Sequence, residues 1–254
     1  MAGPNFSLKD RVAIVTGGSR GIGEAIAKGF AQAGATVVVC SRKQEGVDAV
    51  ANEIRKSGGK ATAIACHTGQ TAAIEALYRR VKEELGRVDV LVNNAATNPY
   101  FGPAIDIAES AYDKTFEVNV KGYFLMAQHA ARIMVEQGSG SIINIASIAG
   151  MSPPPMQGIY GVTKAAVLAI TKMFAKELAG AGVRCNAIAP GLVETKFASV
   201  LIDTPELYEH FASRTPMGRH AQPEEIVGAA IYLASDASSY TTGAIITCDG
   251  GYTA

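Results

Sequence analysis

A chain of 254 residues, 48% of them hydrophobic, is long enough for one large domain or two small ones and for a sizeable core. Twenty-three basic residues balance twenty-three acidic ones, so neither nucleic acid nor an anionic membrane is an expected partner. No apolar run reaches the ~18–20 residues needed to cross a bilayer, and the first ten residues lack the apolar stretch of a secretory signal. The expected location is therefore cytoplasmic.

Apolar runs rich in β-branched residues recur along the chain. In order they are Val12–Thr16, Thr36–Cys40, Ala61–Ala65, Val88–Val92, Ser141–Ala146, Val183–Ile188 and Ala244–Cys248. Amphipathic or Ala-rich stretches of helical length separate them, at 21–33, 44–57, 70–85, 111–137, 158–180 and 223–235. Gly34, Gly58 and Gly138 read as helix stops. Strands alternating with helices predict an α/β fold. Near-continuous apolar strands suit a doubly wound parallel sheet of about seven strands with helices on both faces. No linker, low-complexity tract or short repeat interrupts the pattern, so a single domain over 1–254 is the economical reading.

In such a sheet, ligands bind beyond the carboxyl ends of the strands, and polar, Gly or Pro residues follow each strand. After the first comes Gly17-Gly18-Ser19-Arg20-Gly21-Ile22-Gly23, opening a helix. That glycine pattern permits a tight turn and the approach of a pyrophosphate to backbone N–H groups. The second strand ends in Ser41-Arg42-Lys43, without the carboxylate that usually accepts from the ribose 2′-OH in NAD sites. Arg42 and Lys43, joined by Arg20, suit a 2′-phosphate instead, so NADP(H) is expected over NAD(H). His67 and Thr68 follow the third strand, Asn93-Asn94-Ala95-Ala96 the fourth, Ser147 the fifth and Pro190-Gly191 the sixth.

Tyr160 and Lys164 share a helix face at i and i+4. An ammonium beside a phenol should lower the phenol pKa by roughly 1–3 pH units from ~10, giving an acid/base usable near neutrality. Each residue alone has a duller explanation. Tyr-x-x-x-Lys arises by chance, Ser147 can cap a turn, and Asn119 can satisfy buried backbone. Cys40, Cys66, Cys185 and Cys248 form no Cys-x-x-Cys pair and are expected as buried free thiols. The four His are scattered, so no metal site is expected. His129, His210 and His220 read as surface or packing residues.

Taken together, these pieces make the sequence resemble a short-chain dehydrogenase/reductase. The matching residues are Thr16-Gly-Gly-Ser-Arg-Gly-Ile-Gly23, Asn93-Asn-Ala-Ala96, Asn119, Ser147, Tyr160-Gly-Val-Thr-Lys164, Pro190-Gly191 with Thr195, and Asp249-Gly-Gly251. Val38–Gln44, Cys66–Gly69 and Asn94–Pro99 are similar to the NADP-dependent carbonyl and retinal reductase branch. The resemblance implies a Rossmann-type sheet, hydride transfer between alcohol and carbonyl, and a homo-oligomer, commonly a homotetramer, with a dimer the other expectation. It implies Tyr160 as general acid/base and Lys164 on the nicotinamide ribose, where it lowers the Tyr160 pKa. Ser147 would bond the substrate oxygen, and Asn119 would help hold a relay water. Asn94 and Ala95 would line the adenosine ribose side, Val193 and Thr195 the nicotinamide amide. His67 stands where the family usually has Asp, and Ala96 where it usually has Gly.

The mixed segment 192–217 reads either as a lid over an apolar substrate or as ordinary packing of a short helical pair. Phe197, Val200, Leu201, Ile202, Leu207, Tyr208 and Phe211 are its apolar members, and Tyr100, Phe101, Met151 and Met156 are candidates for the same pocket. Pro153-Pro154-Pro155 would stiffen the loop before Tyr160. No Arg or Lys stands out as a carboxylate clamp, so the expected substrate is a neutral, fairly apolar carbonyl or alcohol. A 3-oxoacyl-thioester (acyl-carrier-protein) reductase is the nearest alternative, with Arg132, Arg214 and Arg219 as candidate docking cations. A non-catalytic cofactor-binding regulator is the alternative of another class.

Overall fold

The computed structural model describes residues 3–254. Seven strands form one parallel sheet: β1 (Val12–Thr16), β2 (Thr36–Ser41), β3 (Lys60–Ala65), β4 (Val90–Asn93), β5 (Gly140–Ile145), β6 (Val183–Pro190) and β7 (Ile245–Cys248). Their order is β3-β2-β1-β4-β5-β6-β7. The chain leaves β1 toward β2 on one side and returns to β4 on the other, so the strand order reverses between β1 and β4 while every strand stays parallel. That switch point opens a crevice at the strand carboxyl ends.

The helices are α1 (Gly21–Gln32), α2 (Gln44–Lys56), α3 (Thr71–Leu85), α4 (Glu109–Phe116), α5 (Gly122–Gln137), α6 (Gly158–Leu178), α7 (Ser199–Ile202), α8 (Pro205–Ala212) and α9 (Val227–Ala234). Alternation along β1 explains why both sheet faces need cover. Ala13 and Val15 join a core with Ile26, Phe30, Val47 and Leu233. Val12 and Ile14 join the opposite core with Leu77, Val81, Met126 and Phe174. Every residue of β1 is buried, which is why the strand reads as a continuous apolar run.

The sheet also carries buried polar groups, each satisfied. The Asn93 side chain donates to Asn144 Oδ1 at 3.0 Å, and Asn144 donates to Thr171 Oγ1 at 2.9 Å. Asp89, 1% exposed, accepts from Val12 N at 2.8 Å and from the Arg87 guanidinium at 2.8 and 2.6 Å.

The stretch 111–137, expected as one helix, is divided. A π-helical turn over Glu117–Lys121 separates α4 from α5. The side chain of Asn119 is the reason visible at that turn. It accepts from Thr97 N at 2.8 Å and donates to Thr97 O at 2.9 Å and Thr163 Oγ1 at 3.1 Å. A wider turn aims this amide into a neighbouring loop and helix at once, a common setting for π turns. The expected stop at Gly138 closes α5 in the left-handed region, at φ 70°. The segment 223–235 begins as a 3-10 turn over Pro223–Ile226 before α9. No described helix is long and apolar enough to cross a membrane.

Candidate active site

The strand ends meet at a cleft of about 690 Å³. Its first wall is the turn from β1 into α1. The Thr16 hydroxyl donates to Val92 O at 3.1 Å and accepts from Asn94 N at 2.8 Å and Ala95 N at 3.1 Å. One buried side chain therefore ties the end of β1 to the loop after β4. The Asn94 amide closes the link by donating to Thr16 O at 2.9 Å.

That tie explains the glycines. Gly17 and Gly21 have φ of 64° and 56°, where side chains are strained. A Cβ at Gly17 would lie 2.7 Å from Asn94 Nδ2, and one at Gly21 2.9 Å from Thr195 Cγ2. A Cβ at Gly23 would press on the Gly17 carbonyl and the Asn94 amide. The N-cap of α1, Arg20, has extended backbone and makes no side-chain cap, so the first-turn N–H groups remain free to bind an anion. The cradle thus fits a dinucleotide pyrophosphate.

Beyond it, Ser19 Oγ donates to Ser41 Oγ at 3.1 Å. Arg20 and Arg42 line the cleft, as do His67 and Thr68; Lys43 occupies the N-cap position of α2 and is not part of the wall. His67 Nδ1 accepts from Gly69 N at 3.0 Å, and its Nε2 lies 3.2 Å from Lys114 Nζ. Burial, then the Lys114 charge, pushes the His67 pKa below 6.5, so the imidazole is neutral at pH 7. Lys114 also pairs with Glu117 at 2.9 Å. This cation on the cleft wall was not singled out in the sequence, because nothing local ties α4 to β3.

The second wall carries Ser147, Tyr160 and Lys164. Ser147 follows β5 with extended backbone and accepts from Ala149 N at 3.1 Å. Tyr160 is 8% exposed and Lys164 1%. Lys164 Nζ donates to Ile145 O at 2.6 Å and to Tyr123 OH at 3.2 Å. It stands 5.6 Å from the centre of the Tyr160 ring. Tyr123, which donates to the same Ile145 O at 3.0 Å, is a partner the sequence did not reveal.

The expected lowering of the Tyr160 phenol is overturned. Burial pushes its pKa above the ordinary 10, and only the neighbouring Ser147 hydroxyl pulls it back. The same burial lowers the Lys164 ammonium from 10.5 to about 7. Spacing supplied the shared face but not the dielectric. Both groups lie out of water, and desolvation disfavours the charged form of each. Asn119 is fully buried, and its side chain is committed to Thr97 and Thr163. That amide ties the loop after β4 to α6.

Pro190, Gly191, Val193 and Thr195 line the cleft after β6, with Asn94 and Ala95 opposite. Of the 192–217 apolar residues, Phe197, Val200, Leu201, Leu207 and Phe211 form the wall, together with Phe101 and Met156. Ile202 faces a neighbouring hollow, and Tyr208 bonds to His220 at 3.1 Å. Tyr100 and Met151 do not line the cleft. Phe197 packs on Tyr160 with ring centres 5.4 Å apart. His129 stacks on Tyr78 as expected of a packing residue, whereas His210 lines the cleft. Lys196 and Arg214 also line it, two cations that the sequence did not single out as a carboxylate clamp. Asn98 Oδ1 is buried beside the cleft without a hydrogen-bond partner, an acceptor that a ligand donor would satisfy. Cys40, Cys66 and Cys185 are buried, Cys248 is half-buried, and all four are free. No metal-binding cluster occurs among the described residues.

A seven-stranded Rossmann-type sheet with a glycine cradle and a Ser-Tyr-Lys wall defines a nucleotide-dependent oxidoreductase class, and comparison with known proteins agrees. A family model described as "Enoyl-(Acyl carrier protein) reductase" matches residues 17–253. "Dehydrogenase/reductase SDR family member 4" of Bos taurus is 41% identical over 244 residues, 96% of this chain and 88% of the relative. A gluconate 5-dehydrogenase from Burkholderia cenocepacia, solved in complex with NADP and tartrate, superposes with a TM-score of 0.95 at 35% identity, covering 98% of each chain. A short-chain type dehydrogenase/reductase from Mycobacterium marinum gives 0.93 at 40% identity, again covering 98% of both. The chain belongs to the short-chain dehydrogenase/reductase family, oxidoreductases acting on CH–OH and C=O groups.

Proposed function

We propose that the chain moves a hydride between NADP(H) and a ketone, aldehyde or secondary alcohol, with Tyr160 as general acid and base. The observation that carries this reading is the convergence of the Ser147 and Tyr160 side chains on one cleft wall, with Lys164 buried beside them. The nicotinamide, when bound, supplies or accepts the hydride. Burial keeps Tyr160 protonated at neutral pH, the form that hands a proton to a carbonyl oxygen as it gains charge. Ser147 donates to the same oxygen and stabilises its developing charge. Lys164, with its pKa near 7, holds or releases a proton in the working range and orients Tyr160 through their shared helix face. Asn119 positions both the loop after β4 and α6.

Gly17, Ser19, Arg20, Gly21, Ile22 and Gly23 would hold the pyrophosphate side. Ser41 and Arg42 would take the ribose phosphate, with His67 and Thr68 at the adenine. Asn94 and Ala95 would take the adenosine ribose side, and Pro190, Gly191, Val193 and Thr195 the nicotinamide. The preference for NADP(H) is supported by Arg20 and Arg42 on a cleft that no Asp or Glu lines. The reacting end of the substrate meets apolar walls at Phe197 and Leu201. Exposed Val162 and Met173 on α6 support self-association as a tetramer or dimer.

Tyr160→Phe tests the reading, using NADPH oxidation with a panel of ketones and aldehydes. Turnover should fall by a factor of ~10²–10⁴, while binding of 2′,5′-ADP stays unchanged. Near-normal turnover by the variant refutes the assignment, and equal inactivity of both proteins would favour a non-catalytic role. The description of the matching family keeps a 3-oxoacyl thioester as the second substrate reading. Relative turnover of a free ketone and a 3-oxoacyl thioester separates the two.

A further inference from the structure

The cleft is one-sided in charge. Arg20, Arg42, Lys114, Lys164, Lys196 and Arg214 line it, and among the described residues no Asp or Glu does, although the chain as a whole is neutral. Arg20, Arg42 and Lys114 belong to the cofactor end, and Lys164 lies buried beside Tyr160. Lys196 and Arg214 belong to the segment after β6, away from the glycine cradle in the chain.

Of the cations in that segment, Arg214 and Lys196 have no ion-pair partner among the described residues. Arg219 is neutralised by a two-pronged bond to Glu225, both arms 2.8 Å. His220 is held by Glu194 at 3.1 Å. Lys196 borders a second hollow that also exposes Glu194, Asp203 and Glu224. Arg214, just past the end of α8, is exposed and shares the wall with Leu207, His210 and Phe211 of α8. Phe211, whose carbonyl accepts from Arg214 N at 3.1 Å, stacks on Tyr252 with ring centres 4.9 Å apart.

We propose that Arg214 is an anion subsite, and that the substrate is a keto or hydroxy compound carrying a carboxylate at the end remote from Tyr160. The inference rests on the reading of Tyr160 and Ser147 as the reacting end. Phe197 against Tyr160 and Phe211 against Tyr252 give the body of such a molecule an apolar path between the two polar ends. A guanidinium fork matches the two oxygens of a carboxylate, and a cleft without carboxylates adds no opposing repulsion.

The test uses 5-oxo-5-phenylpentanoate and the corresponding primary amide, which differ only in charge at the remote end. Calorimetric titration of each into the NADP⁺-saturated enzyme should give an acid bound about tenfold or more tighter than the amide, as a charge-assisted pair predicts. Arg214→Gln should bring that ratio to about one, with amide binding and NADP⁺ binding unchanged, and Arg214→Lys should keep part of it. A wild-type ratio near one, no binding of the acid, or a ratio unaltered in Arg214→Gln overturns the proposal. Tyr160→Phe should leave the ratio intact while removing turnover, so the subsite and the catalytic reading fail separately.

Discussion

Replacing Lys164 by methionine should change how stability depends on pH. Lys164 is 1% exposed, and burial lowers its pKa from 10.5 to about 7. Below pH 7 the folded and unfolded chains both carry the proton, and folding bears the full cost of the buried charge. Between 7 and 10.5 the unfolded chain holds a proton that the folded chain has released. Stability contributed through Lys164 therefore rises with pH in this window, because the unfolded state binds more protons. One proton corresponds to ~1.4 kcal/mol per pH unit, so wild type should gain on the order of 4 kcal/mol over Lys164→Met from pH 7 to 10. Methionine keeps most of the stem's volume. The lost bond to Ile145 O is a constant offset, because that carbonyl still accepts from Tyr123 at 3.0 Å. Urea unfolding of both proteins across this range measures the difference, and titrations common to the two cancel. A difference that is flat from pH 7 to 10 refutes the claim that desolvation governs this ammonium.

Two further outcomes follow from the cradle, beside the Tyr160→Phe result expected above. Thr16→Val removes the hydroxyl that serves Val92 O, Asn94 N and Ala95 N. It should cost about 2–3 kcal/mol in denaturant unfolding, since it leaves two part-buried N–H donors unmet; a change below about 0.5 kcal/mol would show that the tie is not structural. Arg42→Ala should weaken 2′,5′-ADP about tenfold by calorimetry and leave 5′-AMP unchanged, as loss of a charge-assisted phosphate contact requires. Equal weakening of both nucleotides would remove Arg42 from phosphate recognition.

Local pattern carried much of the architecture. Seven apolar runs alternating with helical stretches specify parallel strands, because period and run length are properties of neighbouring residues. The glycines of 17–23 are legible for the same reason, since a strand, a tight turn and a helix follow one another within a few residues. Tyr160 and Lys164 could be placed on one helix face from their spacing alone. What spacing does not contain is the medium. Lys164 loses its charge near neutrality, and the Tyr160 phenol moves up, because β5, Tyr123 and α6 remove water from both. The π turn at Glu117–Lys121 is equally tertiary, for its amide bonds Thr97 and Thr163, distant in the chain. Lys114 beside His67, the orphaned Asn98 oxygen and the unpaired Arg214 likewise exist as features only once β3, β4 and the segment after β6 converge on one cleft. The sequence by itself determined the fold and the chemical kinds of residue at the strand ends; the tertiary structure decided which of them lie in water, which charges are neutralised and which are left facing the cleft, because burial and long-range pairing set the free energy of every charge.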